Sequence, residues 1–541
     1  MIDLTILLII LPLAAALPAF VEKVFPKVAL SRPSAIASLT VSLVLLFFLL
    51  PEVYEGKEYM YPLGGWGGEV AIVLKMDGIA WVGSLMVIIL SLASLLYAWP
   101  DKRFTPLFWF FSMIMVAGMQ GVVLTHDIFN MFVFLEIIGI AVYILIAFFS
   151  RKHSLVASFK YMILSSVAMS FFLLGVLMLY RHTGSFSLEE IAVRLKELNP
   201  SGYPISVALG CLVVGLGVRV AFIPFHTWLP DAHTKAPHPI SSILSGIVLK
   251  VAFIALWRIL WMFGRNAFSM VFFWIGGGTA LLAVIWALAQ TDMKRLLAFH
   301  SVSQMGYIVA SFGAGTAVSV SASLYHAFSH ALFKGLLFLA IGVVMNMTGE
   351  RHIDRLGGLW RAHIGLFITF LVGAASIAGF PPFNGFISKK LILSGVKYSA
   401  AVYYMIWLTG IGTVASFIKL SGVFRGGKGF SVERRSLKGL KYFSLSLLSV
   451  LCLATGLFPG FWFGGIYRMI YRSLPEVSFK FYTAENLLDF LVVFALGFVL
   501  YLGIKSRWGK SVTEFIRGIR VDFHTSLLLL VAGFLGLSVL L

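Results

Sequence analysis

The sequence predicts an all-α integral membrane protein of about 14–16 transmembrane helices, built on two inverted five-helix repeats with a discontinuous helix in each. Three observations carry this. Of the 541 residues, 60% are apolar and only 12% charged, against about 25% charged in soluble domains. Apolar runs of about 18 residues or more, long enough to cross a hydrocarbon core of roughly 30 Å as a helix, recur along the whole chain. Two of those runs carry helix breakers at matched places.

The spans lie near 3–20, 33–50, 78–98, 105–124, 127–149, 156–180, 204–224, 240–262, 268–289, 297–313, 319–345, 364–397, 402–424, 441–463, 486–503 and 525–541. No short apolar segment with a small-residue cleavage site precedes the first, so Met1 to Phe20 reads as a retained helix. Hydrophilic stretches reach only about 20–25 residues, too short for a soluble domain. The net charge of +19 would suit nucleic acid only as a basic face on such a domain, so no nucleic-acid partner is expected. Cys211 and Cys452 both sit in apolar runs. They read as small buried side chains, not as a disulfide framework or a metal cluster.

Lys and Arg concentrate in the loops after odd-numbered spans, including Arg425, Lys428, Arg434, Arg435, Lys438 and Lys441 in one loop. The loops after even-numbered spans carry acids such as Glu52, Glu55, Glu58, Glu189 and Glu190. The positive-inside rule then makes the odd loops cytoplasmic and turns both termini outward, as expected of a multi-pass plasma-membrane protein.

The breakers lie in Arg219-Val-Ala-Phe-Ile-Pro224 and in Gly379-Phe-Pro-Pro-Phe-Asn-Gly385. Counting five spans per unit puts Pro224 in the fourth helix of a 105–262 block, and Pro381 and Pro382 in the fourth helix of a 268–424 block. Residues 1–104 and 425–541 are then flanking transmembrane helices. Interrupted helices at matched places point to an ion site between inverted repeats; kinks kept for packing are the plainer alternative.

Six ionisable residues fall well inside spans: Glu136, Arg219, Lys250, Lys334, Lys389 and Lys390. Glu136 is about nine residues from its helix start, or about 13 Å deep at 1.5 Å per residue. Lys250 is placed similarly. Such charges cost a few kcal/mol each, so they persist when paired and mark function, the alternative being an ion pair that only locks helices together. Desolvation favours the neutral form of a buried lysine and a neighbouring carboxylate the charged form, so moving the partner switches the lysine between holding and releasing a proton. Lys160, Arg258 and Lys419 stand near span ends, where snorkelling accounts for them.

His326, His330 and Lys334 form an i, i+4, i+8 stripe on one helix face, and His238 stands twelve residues before Lys250. Histidine titrates near neutrality, so these residues extend a proton relay, or else they hydrogen-bond between helices as neutral rings. A metal or haem is disfavoured. His226, His233 and His238 have no Cys or carboxylate ligands at tight spacing, and an i, i+4 pair cannot supply both axial ligands of a haem.

The run Val218-Arg-Val-Ala-Phe-Ile-Pro-Phe-His-Thr-Trp-Leu-Pro-Asp-Ala-His-Thr-Lys-Ala-Pro-His-Pro-Ile-Ser-Ser-Ile-Leu-Ser-Gly-Ile-Val-Leu-Lys250 resembles the signature of the proton-conducting antiporter-like subunits shared by respiratory complex I, Mrp-type sodium/proton antiporters and membrane-bound hydrogenases. Asp127-Ile-Phe-Asn-Met-Phe-Val-Phe-Leu-Glu136 resembles that family's fifth-helix motif. His300-Ser-Val-Ser-Gln-Met-Gly306 resembles its tenth-helix start, and Gly379 to Lys389 its broken twelfth helix. The resemblance implies a fourteen-helix core with inverted five-helix repeats over 105–424. It implies Glu136 as modulating carboxylate, Lys250 as central proton carrier and Lys389 as terminal carrier. Lysine at 389 is similar to the Mrp, hydrogenase and one complex I class. Arg219 stands where the family usually has lysine and, by resemblance, faces Glu136. Arginine is not deprotonated in proteins, so the expected role is a permanent counter-charge, held to Glu136 by a single or bidentate bond. The stretch from Lys505 to Asp522 is too short for the long lateral helix of the largest family member.

The expected function is a proton- or sodium-translocating subunit of an Mrp-type antiporter or of a related hydrogenase, sulfane sulfur reductase or NADH dehydrogenase complex. A secondary solute transporter, or a structural or quinone-binding anchor, is the alternative. No flavin, nucleotide or iron-sulfur motif is present, so no cofactor is expected in this chain, and an Fe-S cluster or NiFe centre would belong to partner subunits. The expected partners are antiporter-like and small Mrp-type membrane subunits, a redox arm, H+ and Na+, and the lipid bilayer.

Overall fold

Asp77, Asp127 and Asp292 each stand just before an apolar run, and each accepts a hydrogen bond from the backbone N–H three residues on, at 2.8, 2.6 and 2.9 Å. Each is therefore an N-cap, and three helices start where those carboxylates satisfy otherwise orphaned amides. The computed structural model describes residues 4–65, 72–197, 203–264, 269–425, 439–473, 480–519 and 521–540. The basic residues Lys428, Arg434, Arg435 and Lys438, which helped to set the expected orientation, lie outside the described residues.

The first span is α1 (Leu4–Ala16) with α2 (Pro18–Val24), followed by α3 (Ser31–Tyr54), a hairpin of β1 (Tyr59–Pro62) and β2 (Val73–Met76), and α4 (Gly78–Ala98). The first block holds α5 (Pro106–Leu124), α6 (Ile128–Ile146), α7 (Lys152–Thr183), α8 (Leu188–Glu197), α9 (Tyr203–Val220), α10 (Trp228–Lys235) and α11 (His238–Ile243). A π turn (Leu244–Val248) leads from α11 into α12 (Leu249–Met262). The second block holds α13 (Ser269–Ala289), α14 (Met293–Gly313), α15 (Ala317–Thr348), α16 (Ile364–Ala378), α17 (Asn384–Val396) and α18 (Ala400–Ser421). The last helices are α19 (Gly439–Leu457), α20 (Pro459–Tyr471), α21 (Ala484–Lys505), α22 (Arg507–Gly518) and α23 (Phe523–Leu540).

Thirteen helices among the described residues are long and apolar enough to cross a membrane. α9 and α16 are shorter apolar pieces, and α14 is less apolar because it is buried among other helices and carries Lys294, Arg295 and His300. Each of the sixteen spans read from the sequence thus has a helix. The hairpin is an addition to the all-α expectation: its two strands are four residues each and lie between spans, too short to register as a pattern. The span expected over 441–463 ends at Leu457, and Pro459 opens a separate α20 as its first residue, a position that tolerates the missing N–H. The segment α11 to α12 is wholly buried and α15 is 94% buried, whereas α21 and α23 are 11% and 17% buried. The bundle axis therefore runs along α12 and α15, with α21 and α23 at the rim.

The two blocks share local devices. Both α7 and α15 are 32 residues long, and each ends on Thr-Gly with the glycine, Gly184 or Gly349, at φ 67°, a left-handed cap that closes the helix. The chain beyond returns to pair antiparallel with the N-cap of the preceding helix: Asp127 with Ser187, Asp292 with His352. Four long apolar helices and the shorter α9 lie between the two pairings. The interrupted helices also match. α9 stops at Ala221, φ 62°, before a cis Ile223–Pro224 bond, and α16 stops at Gly379, φ 81°, before a cis Pro381–Pro382 bond. At Gly385 a Cβ would collide with the Ser376 carbonyl oxygen, so only glycine lets α17 restart this close to the end of α16.

Candidate functional site: a buried chain of cations

Arg219 and Glu136 meet between the last turn of α9 and the middle of α6. Arg219 Nη2 donates to Glu136 Oε1 at 2.8 Å; the arginine side chain is 1% exposed and the glutamate 30%. The contact is single, since Arg219 Nε and Nη1 have no hydrogen-bond partner among the described residues. A Cβ at Gly139 would lie 3.0 Å from Arg219 Nη2 and 3.0 Å from the Tyr143 hydroxyl. The missing side chain there gives both groups their place. Tyr161 of α7 stacks on Trp228 of α10 at 3.8 Å and meets Tyr143 edge-on at 5.1 Å, bracing the break beside the pair.

Lys250 stands two residues past the π turn, a local widening of the helix by one residue that is common at functional sites. Its Nζ donates to the Ser245 carbonyl within that turn. Ser245 Oγ lies 2.6 Å from Ser301 Oγ, and Ser301 donates to the Leu297 carbonyl at 3.0 Å. Lys334 of α15 donates to that same carbonyl at 2.6 Å. Two fully buried lysines, one from each block, thereby both meet polar atoms of one cluster formed by Ser245 of the π turn and Ser301 and Leu297 of α14. Neither has a carboxylate partner among the described residues.

From Lys334 the α15 stripe runs back through His330 to His326, whose rings stack at 6.2 Å. His326 Nδ1 lies 2.8 Å from Ser388 Oγ, and its Nε2 lies 3.2 Å from Gln304 Oε1. Ser388 adjoins Lys389, which donates to the Ile377 carbonyl at 2.6 Å and sits 5.3 Å over the Tyr307 ring. Ile377 is in the last turn of α16, where the break leaves carbonyls without helical partners and the helix dipole favours a cation. The discontinuous helix thus makes the seat for Lys389. Neither ring nitrogen of His300 or His330 has a partner among the described residues.

His238 is not brought into this chain. It opens α11 against Gly342, in the neighbourhood of Lys294, which donates to Ala236 O at 2.6 Å and Ser241 Oγ at 2.9 Å. Lys294 is missed when the span is started at 297; the Asp292 cap, an Asp before an apolar run, would have moved it inside. Lys390 points away from Lys389 to an ion pair with Asp489 of α21, whose other oxygen accepts from Trp407 Nε1 at 3.4 Å. The bridging serines carry no charge to draw notice.

Arg258 does not snorkel, contrary to the expectation from its place near a span end. It is 5% exposed and holds Asp77 with two bonds of 3.1 Å each, because the cap of α4 faces the same end of α12. Lys419 likewise turns inward, donating to the carbonyls of Leu288 at 3.0 Å and Gln290 at 2.7 Å at the end of α13. Around Arg258 opens a cavity of about 250 Å³ lined by Glu58, Lys75, Asp77, His126 and Arg472. Lys75, on β2 outside the spans, reaches Glu58 at 2.9 Å and Glu189 at 3.0 Å. Burial works to lower its pKa, but those two carboxylates outweigh it and hold the ammonium above its ordinary range. Arg258 is eight residues beyond Lys250 on one helix, about 12 Å along its axis.

Residues 125–419, the segment carrying every group of this chain of cations, match the family model described as NADH:quinone oxidoreductase/Mrp antiporter, TM. NADH-quinone oxidoreductase subunit N of Desulforudis audaxviator is 35% identical over 81% of this chain and 87% of its own length. A Na(+)/H(+) antiporter subunit of Alkalihalophilus pseudofirmus is 31% identical over 70% of this chain and 78% of its own. Among solved structures, the membrane-bound sulfane sulfur reductase, an archaeal respiratory membrane complex, contains a chain with TM-score 0.80 and 27% identity, covering 91% of this chain and 99% of that one. By sequence over more than half its length and by fold over nearly all of it, this chain belongs to the NADH:quinone oxidoreductase/Mrp antiporter transmembrane family.

Proposed function

We propose that this chain is the proton-translocating subunit of a multisubunit Mrp-type antiporter or Mrp-related respiratory complex, with the two blocks 105–262 and 268–424 working as inverted halves of one path. The observation that carries this is the link from Lys250 through Ser245, Ser301 and the Leu297 carbonyl to Lys334. An ammonium buried with a single carbonyl as its protein partner is costly, and two buried ammoniums in one cluster repel. One charge shared between them is the lower-energy arrangement, and passing it from Lys250 to Lys334 moves a proton from one half to the other. His330 and His326 lead on to Lys389. The exchangeable groups along this route are amines, imidazoles and serine hydroxyls, while the Ser245 and Leu297 carbonyls hold the two ammoniums as acceptors only; sodium as a hard cation prefers clustered oxygen ligands, so sodium enters through partner subunits or through Glu136.

Glu136 and Arg219 stand at the other end. Arg219 is a fixed charge and cannot relay, so it sets how much negative charge Glu136 presents. Redox chemistry, with any Fe-S or NiFe centre, belongs to partner subunits. The test is proton movement in vesicles holding the assembled complex: Lys250→Ala should abolish it while assembly persists. Undiminished coupled flux in that variant would remove the basis of this reading and favour an anchor.

A further inference from the structure

Away from the cation chain, α3, α4, α15 and α20 enclose an apolar groove of about 390 Å³, walled by Phe47, Leu50, Trp81, Phe328, Trp462 and Ile466. The walls are aromatic and without polar reach: Phe328 and Trp462 stack at 5.3 Å, Phe47 meets Trp81 edge-on at 6.2 Å, and the Trp81 indole N–H is spent on Leu46 O at 2.8 Å. The groove opens outward, for Phe47 is 50% exposed and the adjoining Phe461 65%. It runs along α20 from Phe461 toward Arg468, seven residues or about 10 Å.

At one rim Tyr54 lines the groove, and Arg468 lies over its ring at 4.7 Å. Arg468 has no carboxylate within ion-pair distance among the described residues, whereas Arg472, one turn on, is held by Glu58 at 3.0 Å. A guanidinium with no carboxylate partner among the described residues, standing over an outward-opening apolar slot, is complementary to an anionic headgroup on a hydrocarbon chain. We propose that this groove is a binding site for one anionic phospholipid, its acyl chain between Trp81 and Trp462 and its phosphate on Arg468. Neutral lipid satisfies the slot but not the guanidinium. An isoprenoid quinone or a partner subunit's helix would fill the slot without needing the charge.

Two variants separate these cases. Gly465 lies on the groove side of α20, and a Cβ there would meet only Tyr54 Cε2, at 3.5 Å. Gly465→Leu therefore fills the slot without disturbing the helix, and leucine is the better helix former. Arg468→Gln removes the charge and leaves the slot. The full-length protein is delipidated, reconstituted in phosphatidylcholine vesicles containing spin-labelled phosphatidylglycerol, and the motionally restricted lipid is measured. The parent should retain a restricted phosphatidylglycerol. Both variants should lose it, while Arg361→Gln, at an exposed arginine elsewhere, should not. Retention in either Gly465→Leu or Arg468→Gln overturns the proposal. So does a quinone or a partner helix found in the groove of the assembled complex.

Discussion

Arg219 and Glu136, 83 residues apart in sequence, share one hydrogen bond of 2.8 Å between a buried guanidinium and a carboxylate open on one side. The arginine is locked inside, whereas the carboxylate is 30% exposed. Arg219→Lys can keep a single bond and should retain substantial transport. Arg219→Ala leaves the Glu136 carboxylate unpaired inside a membrane-spanning helix and should destabilise the protein by about 3–5 kcal/mol. Thermal unfolding of the purified chain together with vesicle flux measures both; equal flux in the two variants would show that the fixed charge does not matter.

Gly139→Ala places a methyl 3.0 Å from Arg219 Nη2 and the Tyr143 hydroxyl. The guanidinium must shift by a few tenths of an ångström, so transport should fall several-fold with little loss of stability. Parent-like flux at all pH values would argue that the pair tolerates displacement.

Ser301→Ala removes the hydroxyl between Ser245 and the Leu297 carbonyl. A net hydrogen bond of about 1–1.5 kcal/mol corresponds to roughly tenfold in rate. Proton flux should drop by about that factor, and Ser245→Ala combined with it should add little, since both break the same link. Additive losses would mean that the serines act separately.

Asp489→Asn releases Lys390 from its ion pair beside the seat of Lys389. Both partners sit on membrane-spanning helices, so leaving Lys390 unpaired should cost about 3 kcal/mol or more. Lys389→Ala should instead stop translocation. If Lys389→Ala merely prevents assembly, as followed by native gel, Lys389 is structural.

Much of this was legible in the sequence because charge in an apolar run is conspicuous. Glu136, Arg219, Lys250, Lys334 and Lys389 stand out against the spans; Lys334 and Lys250 meet polar atoms that lead to one another, Lys389 sits beside Ser388, and Glu136 and Arg219 form a pair of their own. Pro224 and Pro382 marked the breaks for the same reason: each removes a backbone donor inside an apolar run. What escaped was uncharged or marginal. Ser245, Ser301 and Ser388 look like ordinary packing residues until the helices bring them together. Lys294 and Asp489 fell at span boundaries, and Arg258 near one, where sequence position cannot tell a side chain turned to water from one turned inward. The pairing of Arg258 with Asp77 spans 181 residues, which no local pattern can report.

Translocation along this path requires Lys250 to take up and release a proton, and Lys250→Arg tests that most directly. Arginine keeps the positive charge and can reach the Ser245 carbonyl, but it does not release a proton. Proton translocation by the assembled complex in sealed vesicles should be as low for Lys250→Arg as for Lys250→Ala, with normal assembly in both. Translocation that survives Lys250→Arg would show that the residue supplies only charge, and it would contradict the relay.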